Sequence, residues 1–449
     1  MKKNDIIKLN ICDITLEGSG VGRYDGLAVF VPNTSVGDEI EAKILKVKSN
    51  YAFAKLEKIL TPSNDRISDT CAVYSKCGGC VFRHIDYKAE LKIKENVVKN
   101  NFLRIAGFMP EFEDITGLSQ SRYRNKAQYP ISVVNDKVVA GFYSPRSHRV
   151  NDCADCDLQP ESFSGAVLAL KQFIAENNIS VYNEQTGKGL VRHLYIRRAK
   201  VTGETMVCLV INGDSLPYSD DFLNKMKSVF GPSLASVVLN INKKDTNVIL
   251  GDQCKTIFGK GFITDFLCGV KVKISPLSFY QINHDVAELL YKKAAEFAEP
   301  KGKMILDLYC GAGTIGLSMA KDANRIIGVE VVLEAVKDAK ENARNNDFTN
   351  CEFICADAAM AVKQLENKKM SPDVVILDPP RKGCDAELIK TVANGFNPEK
   401  IVYVSCDSAT LARDCKLFAE QGYKTIKAAV FDMFPRAGHV ETVCLLSKK

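Results

Sequence analysis

The chain has 449 residues, 46% of them hydrophobic and 25% charged, with a formal net charge of +6. That balance suits two or three globular domains with cores of their own and excludes an intrinsically disordered chain. No apolar run approaches the roughly 18 to 20 residues that cross a bilayer, and Lys2, Lys3, Asp5 and Lys8 precede no long apolar stretch, so a secretory signal is excluded and the cytoplasm is the expected compartment.

Residues 5–60 read as short strands, Ile6–Ile14, Gly26–Val31, Glu39–Val47 and Tyr51–Leu60, broken by Gly18-Ser19-Gly20, Tyr24-Asp25-Gly26 and Val36-Gly37-Asp38. Short strands at this spacing predict a small barrel of the oligonucleotide-binding kind. Its near-balanced charge does not compel nucleic-acid binding. After a linker at Pro62–Asp69, Cys71, Cys77 and Cys80 form C-x5-C-x2-C with Gly78 and Gly79 inside it. Cys153 or Cys156 can supply a fourth ligand. Three close cysteines and one distant one suit an iron–sulfur cluster, with four-thiolate zinc as the alternative.

The middle of the chain mixes helices (Lys88–Ile105, Pro160–Asn177, Ser219–Val229) with strands (Val191–Val201, Thr205–Ile211, Ser236–Ile241). Two stretches in it are basic. Arg122, Arg124, Lys126, Lys137, Arg146 and Arg149 face one acid, Asp136; Lys188, Arg192, Arg197, Arg198 and Lys200 face none. Tyr123, Tyr129, Phe142, Tyr143 and Tyr195 interleave with them, a pattern that suits RNA phosphates and unstacked bases or, equally, two solvated strand faces.

From Ser275 onward helix and strand alternate. Helix Asp285–Ala298, strand Met304–Leu308, helix Gly313–Ala320, strand Arg325–Val331, helix Leu333–Asn345 and strands Cys351–Cys355, Val374–Leu377 and Lys400–Val404 predict a doubly wound parallel sheet. The expected architecture is therefore multidomain α/β. It comprises an N-terminal barrel (1–60), an α+β central domain (61–275) and a C-terminal Rossmann-like domain (276–449). Of the 16 cysteines, Cys208, Cys268, Cys351, Cys355 and Cys444 lie in apolar segments and read as core.

In that last domain, Ile305–Gly316 is an apolar strand running into Gly311-x-Gly313-x-x-Gly316 and a helix. Glycines allow close approach of a ligand, and Asp307 at the strand end can bond a charged group. Glu330 ends the next strand, where a carboxylate takes ribose hydroxyls; Asp357 follows the third and can approach an adenine. Nicotinamide-binding folds share this logic. The preceding Asp307-Leu308-Tyr309-Cys310 and the residues downstream favour S-adenosylmethionine.

Downstream, Val374–Leu377 ends in Asp378-Pro379-Pro380-Arg381, whose prolines hold Asp378 at the mouth of the cleft. The next strand delivers Cys406 to the same edge, and the helix Ala409–Phe418 behind it is expected to favour a thiolate through its amino end; the bland alternative is a buried cysteine. A thiolate beside a methyl donor has a joint use. Adding sulfur to uracil C6 makes C5 nucleophilic enough to take a methyl group, and a base then removes the C5 proton. Glu441, on a late strand that can return beside Cys406, is the candidate base, although such an acid is more often simply solvated.

Five motifs now stand together: Ser278-Phe279-Tyr280-Gln281-Ile282-Asn283, Asp307–Gly311, Asp378–Arg381, Val404-Ser405-Cys406-Asp407, and Asp432-Met433-Phe434-Pro435 with His439-Val440-Glu441. On these the chain resembles the bacterial RNA uracil-C5 methyltransferases, in the branch that modifies 23S ribosomal RNA, over essentially its whole length. The resemblance implies cofactor contacts from Gln281, Tyr309, Glu330 and Asp378, with Gly311 in the turn and Asp357 nearby. It implies Cys406 as nucleophile, Glu441 as base, and a flipped uridine against Phe279. It makes residues 5–60 a TRAM domain. It selects a [4Fe–4S] cluster on Cys71, Cys77, Cys80 and Cys156 that supports the RNA-binding face.

The sequence departs from the family at Arg436-Ala437, where relatives usually carry His-Thr or Gln-Thr, and at Thr314, an asparagine in some relatives. Structured RNA is the expected partner, 23S ribosomal RNA first, with neither membrane nor protein partner evident. The tRNA T-loop is the alternative target, although its methylating relatives commonly lack both barrel and cluster. A radical iron–sulfur enzyme lacks its C-x3-C-x2-C spacing here. A non-catalytic RNA-binding protein has no use for Cys406 and Glu441 together.

Overall fold

The computed structural model describes residues 1–448; Lys449, the last residue of the expected third domain, lies outside them. Five strands at the amino end, Ile6–Ile14, Ser19–Tyr24, Leu27–Pro32, Glu39–Val47 and Tyr51–Thr61, close into a barrel. Alternation puts Ile7, Leu9, Ile11, Val29, Val31, Ile40, Ala42, Ile44, Ala52 and Ala54 inside. The strand Ser19–Tyr24 was not expected, because Gly20 and Gly22 make its sequence read as a turn.

A seven-stranded sheet occupies the middle. Its order is Gln253–Gly259, Leu234–Ile241, Thr205–Ile211, Val191–Arg198, Lys126–Val134, Lys137–Tyr143 and Val150–Asp152. The helices Ser162–Glu176 and Ser219–Phe230 share one core with it, through Phe163, Leu170, Phe222 and Met226. The helix Tyr87–Asn101 precedes this sheet in the chain, yet Val98, Phe102 and Ala106 pack into the core of the C-terminal sheet. The strand Glu111–Phe112 extends that sheet's edge beside Tyr423–Phe431.

The C-terminal sheet has eight strands. Cys351–Cys355, Arg325–Glu330, Met304–Leu308, Val374–Leu377 and Lys400–Ser405 run parallel, followed by the antiparallel Glu441–Lys448 and Tyr423–Phe431 and then Glu111–Phe112. The chain reverses its winding between Met304–Leu308 and Val374–Leu377, which opens a crevice at their carboxyl ends. Among the described residues no helix is long and apolar enough to cross a membrane.

Candidate functional site

Where the chain leaves Met304–Leu308 its backbone is unusual. Tyr309 takes φ +64°, followed by Gly311 at +55° and Gly313 at +77°. A left-handed tyrosine costs energy that the surrounding turn must hold in place. Space is open where a Cβ on Gly311 would stand, whereas one on Gly313 would meet Phe353. Gly311 donates its N–H to Glu330 Oε2 at 3.1 Å, and Glu330 Oε1 accepts from Val332 at 2.9 Å. The neighbouring strand's acid is thereby pinned to the glycine turn.

Asp307 is fully buried; its Oδ2 accepts the Gly316 N–H at 3.0 Å and its Oδ1 has no partner. Burial pushes Asp307 up to about 7, and burial likewise pushes Asp378, at the end of the adjacent strand, up to about 7. Gln281 is buried too, its carbonyl accepting from Asn125 Nδ2 at 2.7 Å. Tyr291, which the sequence did not single out, lies among Gln281, Asp307 and Asp378 and shares a 2.9 Å hydrogen bond with Thr314 Oγ1. Thr314 thus has a local structural role. Asp357 caps the helix Ala358–Asn367, its Oδ1 accepting from Ala359 and Met360 at 3.0 and 3.3 Å. An orphan buried carboxylate oxygen and carboxyls that are costly to ionise fit a cationic ligand such as a sulfonium.

Cys406 and Glu441 come together at the next strand pair. Ser405 is opposite Thr442 in the antiparallel register, so Cys406 and Glu441 each stand one residue beyond that pair, on facing chains. Cys406 is half-buried and Glu441 buried. Burial, then the Glu441 and Asp378 carboxyls, push the Cys406 thiol up, and Arg381 opposes them. The expected thiolate-favouring helix end does not win. The helix is Ser408–Glu420, and Asp407 caps it by accepting from Ala409 at 3.0 Å and Thr410 at 2.9 Å. A carboxylate therefore occupies its amino end. Burial, then Asp378, raise Glu441 well above the usual carboxylate range, and Arg381 again opposes. Arg381 was legible only as part of a motif; its place between thiol and carboxyl was not.

Cys406 and Arg381 open onto a cleft of about 980 Å³ that reaches to Leu16 and Glu17 of the barrel, with Arg124 and His439 also lining it. Gly438 permits the barrel's close approach, since a Cβ there would collide with the Leu16 carbonyl. The preceding loop is fixed by a buried charge network. Lys94 donates to Glu90 at 2.8 Å, Asp432 at 2.7 Å and the Phe434 carbonyl at 3.1 Å. Arg436 donates to Glu90 Oε2 at 3.2 Å and the Ile85 carbonyl at 2.7 Å, and also to Gln120. The Arg436 departure is thus a structural anchor. Phe279 is 68% exposed, free to stack.

The basic stretches divide. Arg192 and Arg197 are buried, donating to the Asn242 and Lys244 carbonyls and to the Ser278 carbonyl. Tyr129 and Tyr195 are core residues. Of the remainder, Arg122, Arg124, Arg198 and Lys200 line a cavity of about 540 Å³, while Lys137, Arg146, Arg149 and Lys188 are exposed outside it.

Cys71, Cys77, Cys80, Cys153 and Cys156 line one cavity of about 50 Å³ with Arg83 and Arg124, and all five are free thiols. Gly79 donates its N–H to Cys77 Sγ at 3.3 Å. Burial, then the neighbouring Cys156, push Cys80 up to about 12; Cys153 rises to about 12 for the same reasons. Among the described residues no three His, Cys, Asp or Glu side chains stand at the spacing of a ready-made metal site. Both candidate fourth ligands line the cavity. Among the cysteines expected in the core, Cys208 and Cys444 are buried, but Cys268 and Cys351 are half-buried and Cys355 is exposed.

Comparison with known proteins bears on the same regions. Residues 255–449 match the family of tRNA (Uracil-5-)-methyltransferases and residues 3–56 match the TRAM domain. An uncharacterised RNA methyltransferase of Clostridium tetani is 41% identical over 100% of this chain and 97% of its own length. Another, of Listeria monocytogenes, is 42% identical over 99% and 98%. Among solved structures, the Pyrococcus abyssi tRNA (uracil-54, C5)-methyltransferase in complex with S-adenosyl-L-homocysteine aligns with a TM-score of 0.79 at 28% identity, covering 98% of this chain and 100% of that one.

Proposed function

Because the chain belongs to the family of S-adenosylmethionine-dependent RNA uracil-5-methyltransferases, we propose that it methylates C5 of a uridine in 23S ribosomal RNA through a covalent bond from Cys406. The observation that carries this reading is the placement of Cys406 and Glu441 on facing chains, with Cys406 lining a cleft of about 980 Å³. S-adenosylmethionine, when bound, supplies an electrophilic methyl group. Gln281, Tyr309, Gly311, Glu330, Asp357 and Asp378 would hold it, and the buried Asp307 and Asp378 carboxyls would supply negative charge to a cationic ligand.

Cys406 gives up its proton to solvent in the cleft, and its Sγ bonds to uracil C6 as the C5–C6 double bond opens. The ring's electron pair moves to C5, which would bond the methyl carbon as the methyl–sulfonium bond breaks and its electron pair stays on sulfur as a neutral thioether. Glu441 accepts the C5 proton, the C5–C6 double bond re-forms and the Cys406 sulfur leaves. A buried carboxyl with a raised pKa suits that task, because the proton it must take is a carbon acid's. Arg381 keeps both groups from being pushed further from ionisation.

We infer that Cys71, Cys77, Cys80 and Cys156, which line the cysteine cavity, would hold a [4Fe–4S] cluster. Burial raises the Cys77, Cys80 and Cys156 thiols, a cost that a cationic centre would offset, Cys71 lines the same cavity, and Gly79 already bonds a sulfur. Iron and sulfide in anaerobically purified protein are expected; stoichiometric zinc overturns the assignment.

The tRNA T-loop is the second reading, favoured by the likeness to the Pyrococcus abyssi enzyme over 98% of this chain. That likeness extends over the barrel, so the barrel does not discriminate between the targets. Mapping 5-methyluridine in 23S ribosomal RNA and tRNA from a deletion strain separates them. Loss from 23S RNA is expected, and loss from tRNA alone overturns the ribosomal target.

A further inference from the structure

The helix Tyr87–Asn101 forms one wall of the cleft that holds Cys406, yet nothing in the chemistry above uses it. Ile93, Asn96, Val97, Asn100, Asn101 and Arg104 line that cleft together with Cys406. Lys92, Asn96, Asn100 and Arg104 are all exposed and lie four residues apart. Such spacing brings side chains close together along a helix surface, and the ridge runs from Lys92, just outside the cleft lining, through Asn96 and Asn100 to Arg104 on the π-helical turn Phe102–Ala106 that continues the helix.

The ridge is uncompensated. Glu90 is committed to Lys94 and Arg436, and Glu95 is paired with Lys99 at 3.0 Å. Among the described residues Lys92 and Arg104 have no carboxylate partner, and the Asn96 and Asn100 amides have no protein hydrogen bond. Asn101 behaves differently: its Nδ2 donates to Ser408 Oγ at 2.8 Å. That bond ties the wall to the start of the helix that follows Cys406, so the ridge is registered against the nucleophile. The barrel's contribution to the lining includes Asp13 and Glu17. A polyanion entering this cleft is repelled by the barrel side and attracted to the helix side.

We propose that the Lys92–Arg104 ridge is the track that holds the RNA strand flanking the target uridine, with Lys92 and Arg104 taking phosphates and Asn96 and Asn100 hydrogen-bonding base edges. This rests on the RNA-methylating reading above. The division of labour follows from the side chains. Cations neutralise phosphates without regard to sequence, while amides can both donate and accept at the edges of unstacked bases.

Two double variants test it, using a 23S ribosomal RNA transcript and a tRNA transcript, with binding measured on whichever the wild-type protein methylates. Lys92→Ala/Arg104→Ala should weaken RNA binding about tenfold and reduce the slope of log affinity against log salt by about 0.7 per cation removed. Asn96→Ala/Asn100→Ala should weaken binding about tenfold with the salt slope unchanged. Arg104→Lys should restore the slope. Cofactor affinity and thermal unfolding should match wild type in every variant, since all four side chains are exposed. Wild-type RNA affinity and slope in both double variants overturn the track alone. Failure of the wild-type protein to methylate either transcript overturns the reading above, and the track with it.

Discussion

Asp307 and Asp378 are both costly to ionise in the free protein. Each is pushed by burial up to about 7, so in the free protein each is substantially protonated at and below neutral pH. A bound sulfonium or ammonium stabilises the ionised form and lowers both values. Binding below pH 7 must then expel protons, and cofactor affinity should fall as pH drops, by about fivefold per carboxyl between pH 7 and pH 6. Calorimetric titration with S-adenosylmethionine at pH 6 and pH 8 checks this; equal affinities at the two values contradict it. The sequence placed both acids at strand ends but could not reveal their burial, since an Asp after an apolar strand is as often solvated. It also mistook the direction of the Cys406 shift. The amino end of a helix was visible in the residue pattern, whereas its occupation by the Asp407 carboxylate depends on cap geometry.

At the scale of elements, the helix Tyr87–Asn101 and the loop Asp432–Arg436 are held together by charges that have no water to fall back on. Lys94, Glu90 and Asp432 are all fully buried. Removing the cation they share should destabilise the fold by about 3–5 kcal/mol, as for other buried pairs broken from one side. Lys94→Met measured by urea unfolding tests this, with a loss below about 1 kcal/mol counting against it. Periodicity disclosed the helix itself and the parallel strands, because continuous apolar runs such as Val374–Leu377 admit few other readings. It missed Ser19–Tyr24, whose glycines mimic a turn, and it read Arg192, Arg197, Tyr129 and Tyr195 as a possible RNA face. Charge and aromatic spacing do not say which way a strand points, and these side chains face inward. Arg436 looked like an unexplained departure because its partners, Glu90 and Ile85, lie some 350 residues earlier in the chain.

Across the whole molecule, segments far apart in sequence are brought to one cleft. The barrel contributes Leu16 and Glu17, the helix its exposed ridge, the middle region Arg124, and the C-terminal sheet Cys406. Glu441 is set opposite Cys406 by the strand register. The family was legible because its motifs sit at strand ends, where sequence and position coincide; the cleft was not, because it exists only between elements. In the proposed reaction this arrangement serves a single event, the attack of the Cys406 sulfur on a uracil ring. Single-turnover formation of 5-methyluridine by Cys406→Ala, with RNA and S-adenosylmethionine saturating, tests that event most directly. No product above background, with cofactor affinity intact, is the expected result; product at the wild-type rate contradicts it.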